Sequence, residues 1–288
     1  MSKKKRIKTI VIMLMVVIVL AVLSMVIGSD GKEETIKETM KDAVLHDENK
    51  ISLFGLIDVN PSLISAYVVT AIILFAALMI RIFAIPKFKY VPGKFQTLIE
   101  EWVGLFSGMA KTNSPHRNRF LGIYIFTAGS YIFIGTCFEL FGVQAVTTAG
   151  RSMALPAPLA DINAAIAMGF MSYFAIMSGG IAENRGKGVL KTLKDFSLPI
   201  SMSFRLFGAL LSGLLVTEMV YYYIALSFVL PVIVGILFTL IHALIQAYVL
   251  TMLTALFYGE VSEPAEEKHK APKKPKKTKE QTAKQEAA

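Results

Sequence analysis

The stretch Leu198-Pro199-Ile200-Ser201-Met202-Ser203-Phe204-Arg205-Leu206-Phe207-Gly208-Ala209-Leu210-Leu211-Ser212-Gly213-Leu214-Leu215 holds one charge in eighteen residues. The nearest other charges are Asp195, ten residues before Arg205, and Glu218, thirteen after it. As a helix, eighteen residues cover about 27 Å, close to the ~30 Å hydrocarbon thickness of a bilayer. An arginine at that depth cannot easily reach either end. It costs a few kcal/mol, and such residues face a bundle interior or water. Ser201, Gly208 and Ser212 lie at −4, +3 and +7 from Arg205, on the same helical face. That small-residue stripe lets another helix approach closely. A structural pair with a buried acid is the plainer alternative. Glu139 is the nearest candidate, but it sits at the outer end of its own apolar run.

The rest of the chain supports a membrane setting. Of its 288 residues 54% are hydrophobic, and the mean hydropathy is +0.57. Ile10 to Ile27 is an uncharged run of 18 residues. Further runs lie near 62–80, 119–138, 162–181, 196–217 and 219–259. Closed β-barrels read instead as short alternating segments, so these are helices. The expected fold is an all-α integral membrane protein with five to six membrane helices. The single cysteine, Cys137, excludes an intrachain disulfide framework.

The net charge of +9 is unevenly distributed. Lysines and arginines cluster at 3–8, 81–118, 185–194 and in the tail, whereas 29–60 carries eight acids against four lysines. Positive flanks stay cytoplasmic. This sets 29–60 and 143–160 outside, and the N-terminus, 87–118, 182–195 and the C-terminus inside. The last inside-to-inside step needs a hairpin of two helices. Basic residues split among membrane spans do not make a nucleic-acid surface.

Four segments are expected. Residues 1–28 are a membrane anchor or a signal peptide. Residues 29–61 are a polar extracytoplasmic segment with room for a short surface helix. Residues 62–258 form the membrane domain. Residues 259–288, rich in Lys, Glu, Ala and Pro, form a disordered basic tail. Within the membrane domain, Phe95, Leu98, Ile99, Trp102, Val103, Leu105 and Phe106 make one apolar stripe. It reads as an amphipathic helix at the cytoplasmic interface, anchored by Trp102.

The last long helix carries Thr239, His242 and Gln246 at i, i+3 and i+7, one polar face within an apolar helix. Beside an arginine helix this suggests a hydrated path. No pattern calls for a cofactor or a metal.

These residues resemble a known family. Ser203-Phe204-Arg205-Leu206-Phe207-Gly208, followed by Ile245-Gln246-Ala247-Tyr248-Val249-Leu250-Thr251-Met252-Leu253, is similar to subunit a of the F-type ATP synthase of bacteria. So are Pro158-Leu159-Ala160-Asp161-Ile162-Asn163 and Pro92-Gly93-Lys94-Phe95-Gln96 with Glu100 and Glu101. The chain departs from the family at several positions. Ala209 stands where an Asn is usual, and Leu214 where an acid is usual, with Glu218 one turn further. Thr239 replaces an ionisable residue, with His242 one turn on.

The resemblance implies a multi-pass protein of the bacterial plasma membrane with its C-terminus in the cytoplasm. It would not be an enzyme on its own but a subunit of the proton-transporting complex. Its partners would be a ring of c subunits, b subunits, the F1 sector and the lipid bilayer, with no nucleic acid. The last two helices would form a long tilted hairpin against the ring. Arg205 would meet the ring carboxylate between two half-channels that carry protons or sodium ions. Glu218 and His242 would serve the outward route, with Asp161 and Asn163 near its mouth. Gln246 would position Arg205, and Ser201, Ser212 and Thr239 would complete the path. The competing reading is a secondary transporter or channel whose arginine binds an anion. A third is an assembly protein that kept the fold.

Overall fold

The computed structural model describes residues 15, 50–53, 57–148, 150, 152–222 and 230–263. The expectations for the first apolar run, for 29–49 and for nearly all of the basic tail fall outside these residues. Six helices dominate the described residues: α1 (Pro61–Met79), α2 (Lys94–Asn113), α3 (Asn118–Phe138), α4 (Ile162–Lys194), α5 (Ser197–Tyr222) and α6 (Leu230–Ser262). Four described helical stretches are long and apolar enough to cross a membrane: Pro61–Lys87, Asn118–Phe141, Ile162–Lys194 and Gly235–Ser262. With α5 as the partner of α6 in the final hairpin, the chain is an all-α membrane protein.

Two small β-hairpins are an addition to that picture. β1 (Ile51–Leu53) pairs with β2 (Ile57–Val59), and β3 (Gln144–Val146) with β4 (Ser152–Ala154). The described part of the polar segment before α1 is therefore strand rather than surface helix. The hairpins meet where Thr148 N donates to the Lys50 carbonyl at 2.9 Å. Beneath them Ile51, Val69, Phe138 and Leu155 form a small core.

The helix ends are organised by capping. Asn60 is the N-cap of α1: its side chain accepts from Ser62 N, and Pro61 follows in the first turn. Asp161 caps α4, accepting from the N–H groups of Asn163 and Ala164 at 2.6 and 3.4 Å. The two caps are joined, because Asn60 Nδ2 donates to Asp161 Oδ2. Ser65 and Val69 on the next turns are still buried, Val69 in the small core, and beyond Ile73 the helix is largely exposed.

The opposite end gathers 113–118, 182–191 and 259–263. Arg117 donates to Glu183 Oε2 at 2.6 Å and to the Ala182 carbonyl at 2.9 Å. The last carbonyls of α6 lack intrahelical donors. Here side chains supply them: Lys191 to Glu260, Asn184 to Val261 and Glu263, and His116 Nε2 to Ser262. Segments read from charge as lying on one side are thus grouped at one end.

Two expectations change in shape. Trp102 is not a free interfacial anchor. Its Nε1 donates to Ser130 Oγ midway along α3 at 2.9 Å, and its ring lies 5.2 Å from that of Phe133. Phe106 meets Phe126, and Gly122 faces Ala110, so α2 runs antiparallel along α3. The stripe found small and aromatic groups on α3, and between membrane helices such packing replaces hydrophobic driving force. The second change is in α4. Arg185 has φ 49° and ψ −130°, and beyond it the chain doubles back. Tyr173 OH donates to the Thr192 carbonyl at 3.1 Å, although nineteen residues of straight helix would separate them by about 28 Å. Gly180 and Gly188 touch backbone to backbone at the fold. Residues 182–195 are therefore the tip and returning limb of a helical hairpin, and α5 starts beside Tyr173, where Phe196 packs edge-on against its ring.

Candidate functional site

Along α5, Met202, Ser203, Leu206 and Leu210 are buried, whereas Ser201, Phe204, Arg205, Gly208 and Ser212 are exposed. The small-residue stripe drawn from spacing is thus the open face of the helix. Arg205 makes no hydrogen bond or ion pair with any described residue. The same exposure continues on α6 with Leu237, Ile241, Leu244, Ile245 and Tyr248. Among the described residues Arg205 is the one cation on these exposed, mostly apolar faces. A charge on such a surface needs a partner or water, because hydrocarbon offers neither.

Behind this surface the polar face of α6 turns inward. Thr239 and His242 line a small cleft together with Thr136, Glu139, Leu210, Gly213 and Phe238. The cleft is shared by the outer end of α3, the back of α5 and the first described turns of α6. His242 Nδ1 lies 2.8 Å from the Phe238 carbonyl, with the two rings stacked at 5.7 Å. A carbonyl only accepts, so this contact fits the tautomer with its hydrogen on Nδ1. Gly213 of α5 faces the imidazole: a methyl there would stand 3.7 Å from Nδ1, an ordinary van der Waals contact.

Gln246, one turn further on α6, is 5% exposed, and its Oε1 has no hydrogen-bond partner among the described residues. A buried orphan acceptor costs about 1–3 kcal/mol, which marks it as a group kept for a task. Asp161 and Asn163 stand at the start of α4. The Asp161 carboxylate is engaged on both oxygens, by the α4 amides and by Asn60. Ser212 Oγ donates to its own helix at the Ala209 carbonyl, 2.7 Å away. Glu218 falls in the last turns of α5, and its side chain lies outside the described part.

The sequence-derived set therefore divides. Thr239 and His242 share a cleft, Gln246 is the next group along their face, and Ser201, Arg205 and Ser212 share the open face. Thr136 and Glu139 were missed as lining groups. Their i, i+3 spacing at the end of an apolar run was the available signal. Glu139, considered only as an ion-pair candidate for Arg205, lines the His242 cleft instead.

The fold and the site define an all-α membrane subunit that turns one isolated arginine outward from a packed helical hairpin. Residues 63–259 match the family model of the ATP synthase A chain. The chain belongs to that family. It is 24% identical over 206 residues to ATP synthase subunit a of two strains of Cereibacter sphaeroides, across 67% of this chain and 78% of theirs.

Proposed function

We propose that this chain is the ion-translocating stator subunit of a rotary ATP synthase in a bacterial plasma membrane, with its C-terminus in the cytoplasm. Membership of the family supports a subunit of the membrane sector. The observation that carries the finer reading is Arg205, exposed on an apolar face with no partner among the described residues. Its counterpart is a carboxylate on a ring of c subunits, arriving from another chain. The b subunits and the F1 sector complete the assembly.

A fixed cation favours the ionised form of each carboxylate that passes. It also repels a proton attempting to cross directly. An ion entering from one side must therefore load on the ring, travel with it and leave on the other. The driving force is about 2.3 kcal/mol per charge per 100 mV. Arginine suits the task because it stays charged and is more weakly hydrated than lysine.

The outward route runs through the cleft of Thr136, Glu139, Thr239 and His242. Glu139 and the His242 Nε2 are its proton-exchanging groups. Asp161 and Asn163 frame its mouth, and Glu218 serves it from the hairpin end. Ser201 and Ser212 flank the contact at Arg205, while Gln246 does not reach the arginine and instead continues the buried polar face of α6 behind the open face.

Reconstitution tests the reading. Purified chain alone in liposomes should conduct no ions, while the chain purified with a small two-helix c subunit and b should support ATP-driven ion transport. Transport by the isolated chain would favour a transporter and refute the rotary role.

A further inference from the structure

The back of α5 is as tightly set as its front is open. At Gly169 of α4 an added methyl carbon would overlap Ser203 Oγ and stand 2.8 Å from the Pro199 carbonyl oxygen and 3.1 Å from Ser203 N. The Ser203 hydroxyl is itself held, donating to that carbonyl at 2.6 Å. The obstacle is therefore backbone as well as side chain. Gly169 is buried, and Met202 and Leu206, beside Ser203 on the packed face, are 2% and 1% exposed. Two residues of helix turn a side chain by about 200°, so Ser203 and Arg205 project from opposite sides of α5. Gly169 thus bears on α5 directly behind the arginine.

We propose that Gly169 is a positioning residue that sets how far Arg205 projects toward the carboxylate it meets. The inference rests on the reading of Arg205 as the fixed charge of the stator. A methyl at 169 needs the Pro199 carbonyl to retreat by about 0.6 Å to reach ordinary van der Waals contact. The packed face cannot yield inward, so α5 moves outward and carries Arg205 with it. A guanidinium set too far forward holds the passing carboxylate longer and slows its release.

The test uses the assembled ATP synthase in native membranes with Gly169→Ala. ATP-driven proton pumping per assembled complex is expected to fall by about tenfold, in line with the cost of ångström-scale misplacement. Position is read separately, by disulfide formation between Gly208→Cys, on the arginine face, and a cysteine on the facing helix of the c subunit. Cross-linking should quicken in Gly169→Ala. Adding Ser203→Ala removes the nearest obstacle and should recover part of both changes. Gly122→Ala, where the methyl meets Ala110 Cβ at an ordinary 3.5 Å, is the control expected to change neither. Normal pumping per complex, even with fewer complexes, would overturn the proposal, as would reduced pumping with unchanged cross-linking. If Gly169→Ala does not assemble, Ser203→Gly withdraws bulk from the same contact and must slow cross-linking; an unchanged rate overturns the proposal equally. An Arg205→Ala variant that still couples would remove the underlying reading. A silent Arg205→Ala beside a normal Gly169→Ala removes the positioning role alone.

Discussion

Replacing Arg205 by alanine removes the single charge from an otherwise apolar face, and the size of the effect follows from Coulomb's law. A carboxylate about 4 Å from the guanidinium gains roughly 4 kcal/mol at an effective dielectric constant near 20. That equals about three units of carboxylate pKa. A neighbouring cation lowers a carboxylate pKa, so its loss raises the value. At a fixed pH the ring carboxylate then releases its proton roughly a thousandfold less readily. ATP synthesis in energised inverted vesicles, normalised to assembled complex, should fall below about 1% of wild type. Arg205→Lys should fail as well, because the ammonium is more strongly hydrated and lacks the planar fork. Assembly should survive in both, since Arg205 contacts no described residue by hydrogen bond or ion pair. Coupled synthesis above about a tenth of wild type in Arg205→Ala would refute the electrostatic argument, because no other charge on that face could replace the missing one.

Glu139→Gln and His242→Ala should each slow proton flux tenfold or more, on the scale of losing a positioned proton-transfer group, while Glu263→Gln, at the far end of α6, leaves flux unchanged; equal effects in flux assays would remove the cleft from the path. Gly179→Val would drive a side chain into the Tyr258 ring, which an added Cβ already approaches at 2.5 Å, and should destabilise the subunit by about 1–3 kcal/mol, read as a lower melting temperature in detergent. Arg185→Gly should do the reverse, raising stability by about 1 kcal/mol by relieving a side chain held at φ 49°; a lower melting temperature would show that the arginine side chain contributes more than its backbone costs.

What could be read from the sequence was periodic or local. The shared face of Ser201, Gly208 and Ser212 around the isolated charge of Arg205 followed from helical spacing, although no described helix covers it, and the common face of Thr239, His242 and Gln246 followed likewise. Contacts between distant segments left weaker traces. Glu139 joins His242 across about a hundred residues of chain, and nothing near either residue announces the other. Trp102 has the composition of an interfacial anchor, and only the groove of α3 with Ser130 in it makes it a packing residue. The reversal in α4 was harder still. Its pivot is Arg185, an unusual residue for a positive φ, while its flexible neighbour Gly186 would have been the natural guess. Asp161 did carry a readable signal, an acid directly before a helical run. The same acid fits an ion-exchanging group equally well, and only the Asn163 and Ala164 amides show it as a cap.

The joint between Asn60 and Asp161 has a mechanical consequence. It ties the first turn of α1 to the first turn of α4, the next turns pack down through Val69 and Ile73, and the remainder runs on exposed. The exposed stretch 74–87 is therefore a lever about 21 Å long, held at one end. A rocking of about 5° where it leaves the core sweeps its far end through about 1.8 Å at that length. Whatever grips the far end of α1 acts with a long arm on the residue that caps α4, the helix whose Gly169 supports the back of α5.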